Sequence, residues 1–231
     1  MRHSTRARRL ALRVFPHGVV ELVVPPRTGR RSVEAFLRSH ADWIAKARRH
    51  FQASAVATAF APPEEIHLAA LGEHWLLRHL PGNPRLKELP APAGGELHLR
   101  GSDNDDWRRL RLRRWLLARG RATLVPWLAR VSEESGLRFS GVTVRRQRSR
   151  WGSCSASGGI SLNCALLFLE PALVRYLFLH ELAHTEHLNH SRAFWRCVAR
   201  LEADFEALES RLGQAWRAVP AWVSYDLPVV G

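Results

Sequence analysis

The segment Pro171-Ala-Leu-Val-Arg-Tyr-Leu-Phe-Leu-His180-Glu181-Leu-Ala-His184 indicates both the fold and the chemistry of this protein. Pro171 suits the first turn of a helix, where its missing N–H costs nothing. The residues that follow are apolar on almost every side, so the sequence predicts a buried helix. Two imidazoles and a carboxylate are costly to bury in such a helix unless something binds them.

The spacing of the two histidines indicates a metal site. His180 and His184 are four residues apart, so they lie one turn apart on the same helix face and can reach one ion. Glu181 is rotated by about 100° around the helix axis, where it can address a water molecule better than the ion itself. The pattern is typical of zinc hydrolases with two His ligands and a Glu general base.

Catalytic zinc usually has three protein ligands and one open position, so a third ligand is expected. We favour His190, because Asn189 can end the helix in a left-handed conformation and turn His190 back towards the ion. His187 is an alternative if the helix continues, although it lies a further turn along. A carboxylate from the next helix, Glu202 or Glu206, is the other alternative.

A cluster of arginines, Arg146, Arg148 and Arg150, precedes the segment Trp151-Gly-Ser-Cys154. If this strand borders the metal cleft, one of them is a candidate for binding substrate or stabilising an oxyanion. The alternative is a surface strand end with solvated charges. Cys154 is expected to be a small buried residue, because the histidines already supply the zinc ligands.

Helices and short strands surround this motif. A long helix is predicted from Ser102 to Gly136, with a candidate kink at Pro126. The stretch from Arg108 to Arg121 carries seven arginines among its apolar residues, and we favour a solvated face over an anion-binding one. The other elements expected in this half are strands at 142–145 and 160–163 and helices at about 171–188 and 191–212.

The N-terminal part is predicted to be rich in β-hairpins. Its first hairpin joins residues 10–15 and 19–24 through the turn 16–18, and a helix follows from an N-cap at Ser32. Short strands are expected near residues 66–68, 75–77 and 97–99, with a loop at 81–95.

These elements predict an α+β fold. Its zincin-like helical core carries the His180–His184 helix with a small antiparallel sheet, beside the N-terminal hairpin-rich part. The predicted domains are residues 1–101 and 102–231.

Composition limits the compartment and the partners. The 231 residues include 35 Lys and Arg against 21 Asp and Glu, a net charge of +14 that favours acidic partners. Three cysteines cannot form a disulfide framework, which indicates a reducing compartment. The basic N-terminus lacks the apolar run of a signal peptide, and polar residues interrupt the longest apolar stretch, 164–182. We therefore expect a cytoplasmic protein that does not enter a membrane.

Five motifs together resemble the YgjP-like metallohydrolase family, which is related to the SprT and WLM metalloproteases. Their order and spacing match over about 142–196, and the N-terminal hairpin and helix are also similar. The motifs are Arg146-Gln-Arg-Ser-Arg-Trp-Gly-Ser-Cys154, Ile160-Ser-Leu-Asn163, the helix from Tyr176 to His184, Asn189-His-Ser191 and Phe194-Trp195.

The resemblance implies a zinc ion bound by His180, His184 and His190, with Glu181 as the catalytic acid/base. It also implies an intracellular bacterial protein. We expect Phe194 and Trp195 to hold the last helix against the metal helix.

Three functions follow as hypotheses. The favoured one is a zinc metallopeptidase, whose peptide or protein substrate would lie extended beside an edge strand within 142–163. The second is a nucleotide pyrophosphatase, because UTP hydrolysis is attributed to members of this family and an Arg-rich cleft suits a triphosphate. The third is a basic, DNA-associated protein with protease activity, which would bind nucleic acid weakly through its Arg-rich surface.

Overall fold

The computed structural model describes residues 2–3, 9–14, 20–45, 62–101 and 104–224. The chain divides into two compact units, Met1–Phe60 and Ala61–Gly231. The domain boundary predicted between residues 101 and 102 lies inside the second unit.

The first unit contains a small sheet and a helix. Its elements are β1 (Arg2–His3), β2 (Ala11–Val14), β3 (Val20–Val24) and α1 (Arg30–Ser39). β2 and β3 pair in antiparallel fashion, which confirms the predicted hairpin, whereas its turn at 16–18 lies outside the described residues. α1 begins after Gly29 rather than after Ser32, because the Gly29 carbonyl accepts the N–H groups of Ser32 and Val33. The part of the predicted helix beyond residue 45 also lies outside the described residues.

A four-stranded sheet opens the second unit. Its strands are β4 (Glu65–Leu68), β5 (Glu73–Leu80), β6 (Arg85–Ala91) and β7 (Gly94–Arg100), in the order β4-β5-β7-β6. The three predicted strands are confirmed, but the loop predicted at 81–95 is wrong for most of its length. β6 is an edge strand with mostly exposed side chains, so its sequence lacks apolar alternation and even includes Pro90.

The long helix α2 (Asp105–Ser135) crosses the core of this unit. The side chain of Asn104 caps it by accepting the N–H of Trp107, while the predicted cap Ser102 lies outside the described residues. The helix ends before Gly136, as predicted, and continues through Pro126.

The arginines of α2 are not a simple solvated face. Arg109 is only 7% exposed. Arg113 donates to the Trp222 carbonyl, and Arg119 forms a salt bridge with Glu73. Part of this positive charge is therefore buried or bonded to other groups of the protein instead of facing solvent.

A three-stranded sheet follows, formed by β8 (Gly141–Arg145), β9 (Gly152–Cys154) and β10 (Gly159–Asn163). Its order is β8-β10-β9, with β10 antiparallel to β9 but parallel to β8. The prediction of an antiparallel sheet is therefore wrong for one of its two pairings. After β8 the chain crosses the end of the sheet through residues 146–151 and returns as β9, the opposite edge strand. β10 then occupies the central position between β8 and β9.

Buried Asn163 holds that crossing segment in place. Its side-chain amide donates to the carbonyls of Gln147 and Arg150 and accepts the N–H of Ala165. These bonds satisfy backbone groups that the crossing segment cannot pair with a strand.

Four helices complete the unit. They are α3 (Pro171–Ala183), α4 (Arg192–Leu201), α5 (Phe205–Gln214) and α6 (Ala221–Ser224). The helix predicted at 171–188 ends early because the N–H and hydroxyl of Thr185 both bond to the Leu182 carbonyl. The helix predicted at 191–212 is broken at Glu202, which adopts an extended conformation. The break lets the apolar faces of α4 and α5 reach the core separately.

One hydrophobic core joins the four-stranded sheet, α2 and the C-terminal helices. The second unit is thus a mixed α and β structure with small sheets and several helices, as expected for an α+β fold. Among the described helices, none combines the length and apolar character needed to cross a bilayer.

We expect Leu124→Ala to lower the free energy of unfolding by about 2–5 kcal/mol, because the substitution leaves a cavity at a fully buried position of α2. Arg121→Ala, at an exposed position of the same helix, should change it by no more than about 0.5 kcal/mol. Urea unfolding followed by circular dichroism measures both. Equal losses in the two variants would contradict this description of the core.

Candidate active site

Three imidazoles meet at the end of α3. His180 and His184 come from the helix, and His190 comes from the segment before α4. One ligand nitrogen from each ring lies within 4.8 Å of the other two, and the Nε2 atoms of His180 and His190 are 3.1 Å apart. The three residues predicted as metal ligands therefore lie together.

The turn after α3 brings His190 back to the helix. The N–H groups of Glu186 and His187 bond to the Ala183 carbonyl, so the chain reverses immediately after the helix ends. The left-handed conformation predicted for Asn189 is wrong, because Arg27 is the one non-glycine residue with positive φ among those described. Ser191 then caps α4 by accepting the N–H of Phe194.

A hydrogen bond orients His184, and a carboxylate lies near the outer nitrogen of His180. Nδ1 of His184 donates to the His187 carbonyl at 2.9 Å, which leaves its Nε2 with the lone pair. Nδ1 of His180 faces Oε2 of Glu209 at 3.8 Å, and the Tyr176 hydroxyl donates to that same oxygen at 2.7 Å. Carboxylates and carbonyls in these positions typically fix the tautomer of a metal-binding histidine.

Burial keeps the helical imidazoles neutral. It lowers the pKa of His180 to about 4, with smaller contributions from His184 and His190. Burial also lowers the pKa of His184, against the hydrogen bond to His187. Both rings are therefore neutral at pH 7, which is the state that binds a metal.

Aromatic side chains of α4 support the three rings. Phe194 stacks on His184 with centroids 4.4 Å apart, and Trp195 stacks on His190 at 5.6 Å. Trp195 also stacks on Phe205 of α5. Phe194 and Trp195 therefore do more than join two helices, since they contact the histidines directly.

Glu181 follows His180 on α3, and its carboxylate is almost completely buried. It is 5% exposed, and its Oε2 atom has no hydrogen-bond partner among the described residues. Burial raises the pKa of Glu181 to about 8, while the positive charge of exposed Arg150 opposes that shift. A buried, unpartnered carboxylate oxygen is costly unless it serves a ligand or a reaction.

Gly152 of β9 makes room for this carboxylate. A Cβ atom at Gly152 would lie 2.6 Å from Oε1 of Glu181, closer than two such atoms approach. Trp151 fixes the strand, because its indole N–H donates to the Leu212 carbonyl and its ring stacks on Trp216. The sheet therefore closes one side of the site.

The structure separates the predicted arginines. The charge of Arg150 acts on Glu181, whereas Arg146 donates to the Val223 carbonyl near the C-terminal helix. Arg148 is exposed. Of the three, Arg150 is the residue with an electrostatic effect on the site.

None of the alternative third ligands belongs to the three-histidine cluster. His187 contributes its carbonyl to His184, and neither Glu202 nor Glu206 belongs to the three-histidine cluster. Glu209 was not predicted as a site residue. No sequence motif indicates Glu209, because the helix break at Glu202 is what brings it near His180.

The donor set fits a zinc ion. Zinc prefers imidazole nitrogens, and a catalytic zinc site keeps one position open beside three protein ligands. His180, His184 and His190 supply those three nitrogens, and Glu181, whose Oε2 atom has no partner among the described residues, follows His180 directly on α3.

In metal-free protein, Glu181→Gln should make the fold more stable at pH 8 by roughly 3–5 kcal/mol. Between the ordinary value of 4.5 and the folded pKa of about 8, folded protein keeps a proton that unfolded protein releases. Rising pH therefore destabilises the parent protein over this window, and the glutamine variant lacks this effect. Thermal unfolding from pH 4 to pH 9 after chelation measures it.

The matched control for this measurement is Glu133→Gln, which changes an exposed carboxylate. It should follow the pH dependence of the parent protein. A Glu181→Gln profile that also follows the parent would show that Glu181 is not buried as described.

Comparison with known proteins gives a family and two similar structures. The sequence model of the YgjP-like metallopeptidase domain matches residues 8–215. The metallopeptidase zymogen abylysin of Pyrococcus abyssi is 28% identical over 40% of this chain and 93% of its own, with a TM-score of 0.36. The metallopeptidase zymogen jannalysin of Methanocaldococcus jannaschii is 17% identical over 39% and 94%, with a TM-score of 0.35.

No curated protein matches the chain significantly. The family match nevertheless spans most of the sequence, and it includes the three histidines and Glu181. This chain therefore belongs to the YgjP-like metallopeptidase family.

Proposed function

We propose that this protein is a zinc-dependent metallopeptidase in which His180, His184 and His190 bind the ion and Glu181 is the general base. The observation that carries the proposal is the convergence of three imidazole nitrogens, together with a buried carboxylate oxygen on the same helix that has no partner among the described residues. Membership of a metallopeptidase family supports the same reaction class.

A zinc ion in this position would lower the pKa of a water molecule and polarise a scissile carbonyl. Glu181 takes the proton of the attacking water and returns it to the leaving nitrogen. The charge of Arg150 favours the carboxylate form of Glu181, which is the form that accepts a proton. His184 keeps its orientation through the His187 carbonyl, and the carboxylate of Glu209 lies 3.8 Å from Nδ1 of His180.

The edge of the small sheet offers a place for a peptide. β9 is an edge strand of this sheet, so one side of its backbone pairs with no other strand among the described residues. Gly152 of this strand touches Glu181. A peptide added to β9 as a further strand would therefore run next to the general base.

The other two hypotheses have less support. A nucleoside triphosphate would need several cations, and Arg150 is the predicted arginine with an effect on Glu181. The nucleic-acid hypothesis relies on an Arg-rich surface, and α2 contributes less to such a surface than its sequence suggests, because Arg109 is buried and Arg113 and Arg119 bond within the protein. Cytoplasmic location stays a prediction.

Glu181→Gln should retain zinc but lose at least about 100-fold in turnover, because the base is removed while the ligands remain. His184→Ala should lose both zinc and turnover. Elemental analysis and a panel of unfolded proteins and nucleoside triphosphates measure metal content, activity and substrate class together.

The control for the panel is His67→Ala, which removes an exposed histidine of β4 and should change neither metal content nor turnover. Full activity of Glu181→Gln would refute the assigned base. Pyrophosphate release without peptide cleavage, lost in the same variant, would replace the peptidase with a nucleotide hydrolase.

Gly152→Ala should lower turnover by about 100-fold with zinc content unchanged, because the added methyl group displaces the carboxylate of Glu181. Gly141→Ala is the matched control in β8, where a Cβ atom meets nothing within 4 Å. Equal turnover of the two variants would show that the approach of Gly152 to Glu181 does not matter for the reaction.

A further inference from the structure

A second group of metal-ligand side chains lies beside the three histidines. The carboxylate of Glu186, a ring nitrogen of His187 and the Sγ atom of Cys197 all lie within 4.8 Å of one another. None of the three belongs to the set proposed to hold the catalytic ion. Within the described part of the chain, three or more side chains of metal-ligand type converge in two places, the three-histidine cluster and this second group.

The three side chains come from two separate segments. Glu186 and His187 lie in the turn after α3, and the Ala183 carbonyl accepts hydrogen bonds from the N–H groups of both residues. Cys197 lies on the buried face of α4 and is 5% exposed. Its sulfur accepts a weak hydrogen bond from Nη2 of Arg200 at 3.8 Å, which a thiolate bound to a metal can keep.

We propose that Glu186, His187 and Cys197 form a second binding site for a divalent ion of the zinc class. Thiolate, imidazole and carboxylate are the three protein ligands that zinc uses, and a water molecule can complete four-coordination. Calcium and magnesium require oxygen ligands, so a sulfur and a nitrogen at this site select against them. Binding releases the thiol proton of Cys197 to solvent, and no electron is transferred.

An ion at this site would fasten the turn to α4. The turn contains the His187 carbonyl that accepts the hydrogen bond of His184, and it leads directly to His190. The side chain of His187 would thus bind the second ion, while its backbone carbonyl orients His184, a ligand of the first ion. The second ion therefore has a structural role, which is to hold the segment that completes the three-histidine site.

Cobalt(II) titration of the full chain tests the second site separately from the first. A cobalt–thiolate bond gives a charge-transfer absorption in the near ultraviolet, whereas a site with only histidine ligands does not. We expect the protein to bind two equivalents of cobalt and to show this absorption. Cys197→Ser should bind one equivalent and lose the absorption, and Cys154→Ser should behave like the parent protein.

A second variant tests the site in case Cys197→Ser does not fold. Glu186→Gln changes an exposed side chain, and it should weaken the cobalt affinity of the thiolate site by at least about 10-fold. His190→Ala should lose the first ion and keep the thiolate absorption.

The two proposals fail in different ways. One bound equivalent without thiolate absorption would overturn the second site and leave the three-histidine site intact. One equivalent with thiolate absorption in the parent protein would support the second site and count against the first. Absorption that persists in Cys197→Ser, or disappears in Cys154→Ser, would also overturn the assignment.

Discussion

The burial of ionisable side chains on an apolar helix is the constraint on which the rest of this structure depends. α3 and its C-cap place His180, Glu181 and His184 at the edge of the main core, where water solvates their charged forms less than in the open solvent. The imidazoles respond with lowered pKa values and the carboxylate with a raised one. In the proposed function, this cost falls at the place where a metal and a proton acceptor act together.

The surrounding elements each hold one part of that arrangement. α4 supplies the aromatic rings that pack on the histidines, α5 supplies Glu209 behind His180, and β9 supplies the gap at Gly152 that admits Glu181. Asn163 fixes the crossing segment that ends at Arg150. The site is therefore rigid because its neighbours are packed or hydrogen-bonded, and because its histidines come from one helix and the turn that follows it.

The sequence predicted the elements that have strong local signals. Apolar periodicity located α2, α3 and most strands, and the histidine spacing singled out His180, Glu181 and His184. His190 was favoured because zinc needs a third ligand, and it lies with the other two although the left-handed turn expected at Asn189 is absent. The missed elements lack such signals: β6 is an exposed edge strand, and the break at Glu202 and the parallel pairing of β8 with β10 depend on contacts between distant segments. Glu209 and the closeness of Gly152 to Glu181 were missed for the same reason, because only the folded chain brings them to the site.

The connection of Trp151 to the carbonyl of Leu212 bears on how the protein is made. A chain leaves the ribosome from its N-terminus, and segments fold as they emerge. The strand that faces Glu181 is secured only after residue 212 has been synthesised, and Glu209 emerges at almost the same stage. A nascent chain from which the three histidines have already emerged therefore still lacks Glu209 and the Leu212 carbonyl. The site is completed only in the late steps of translation.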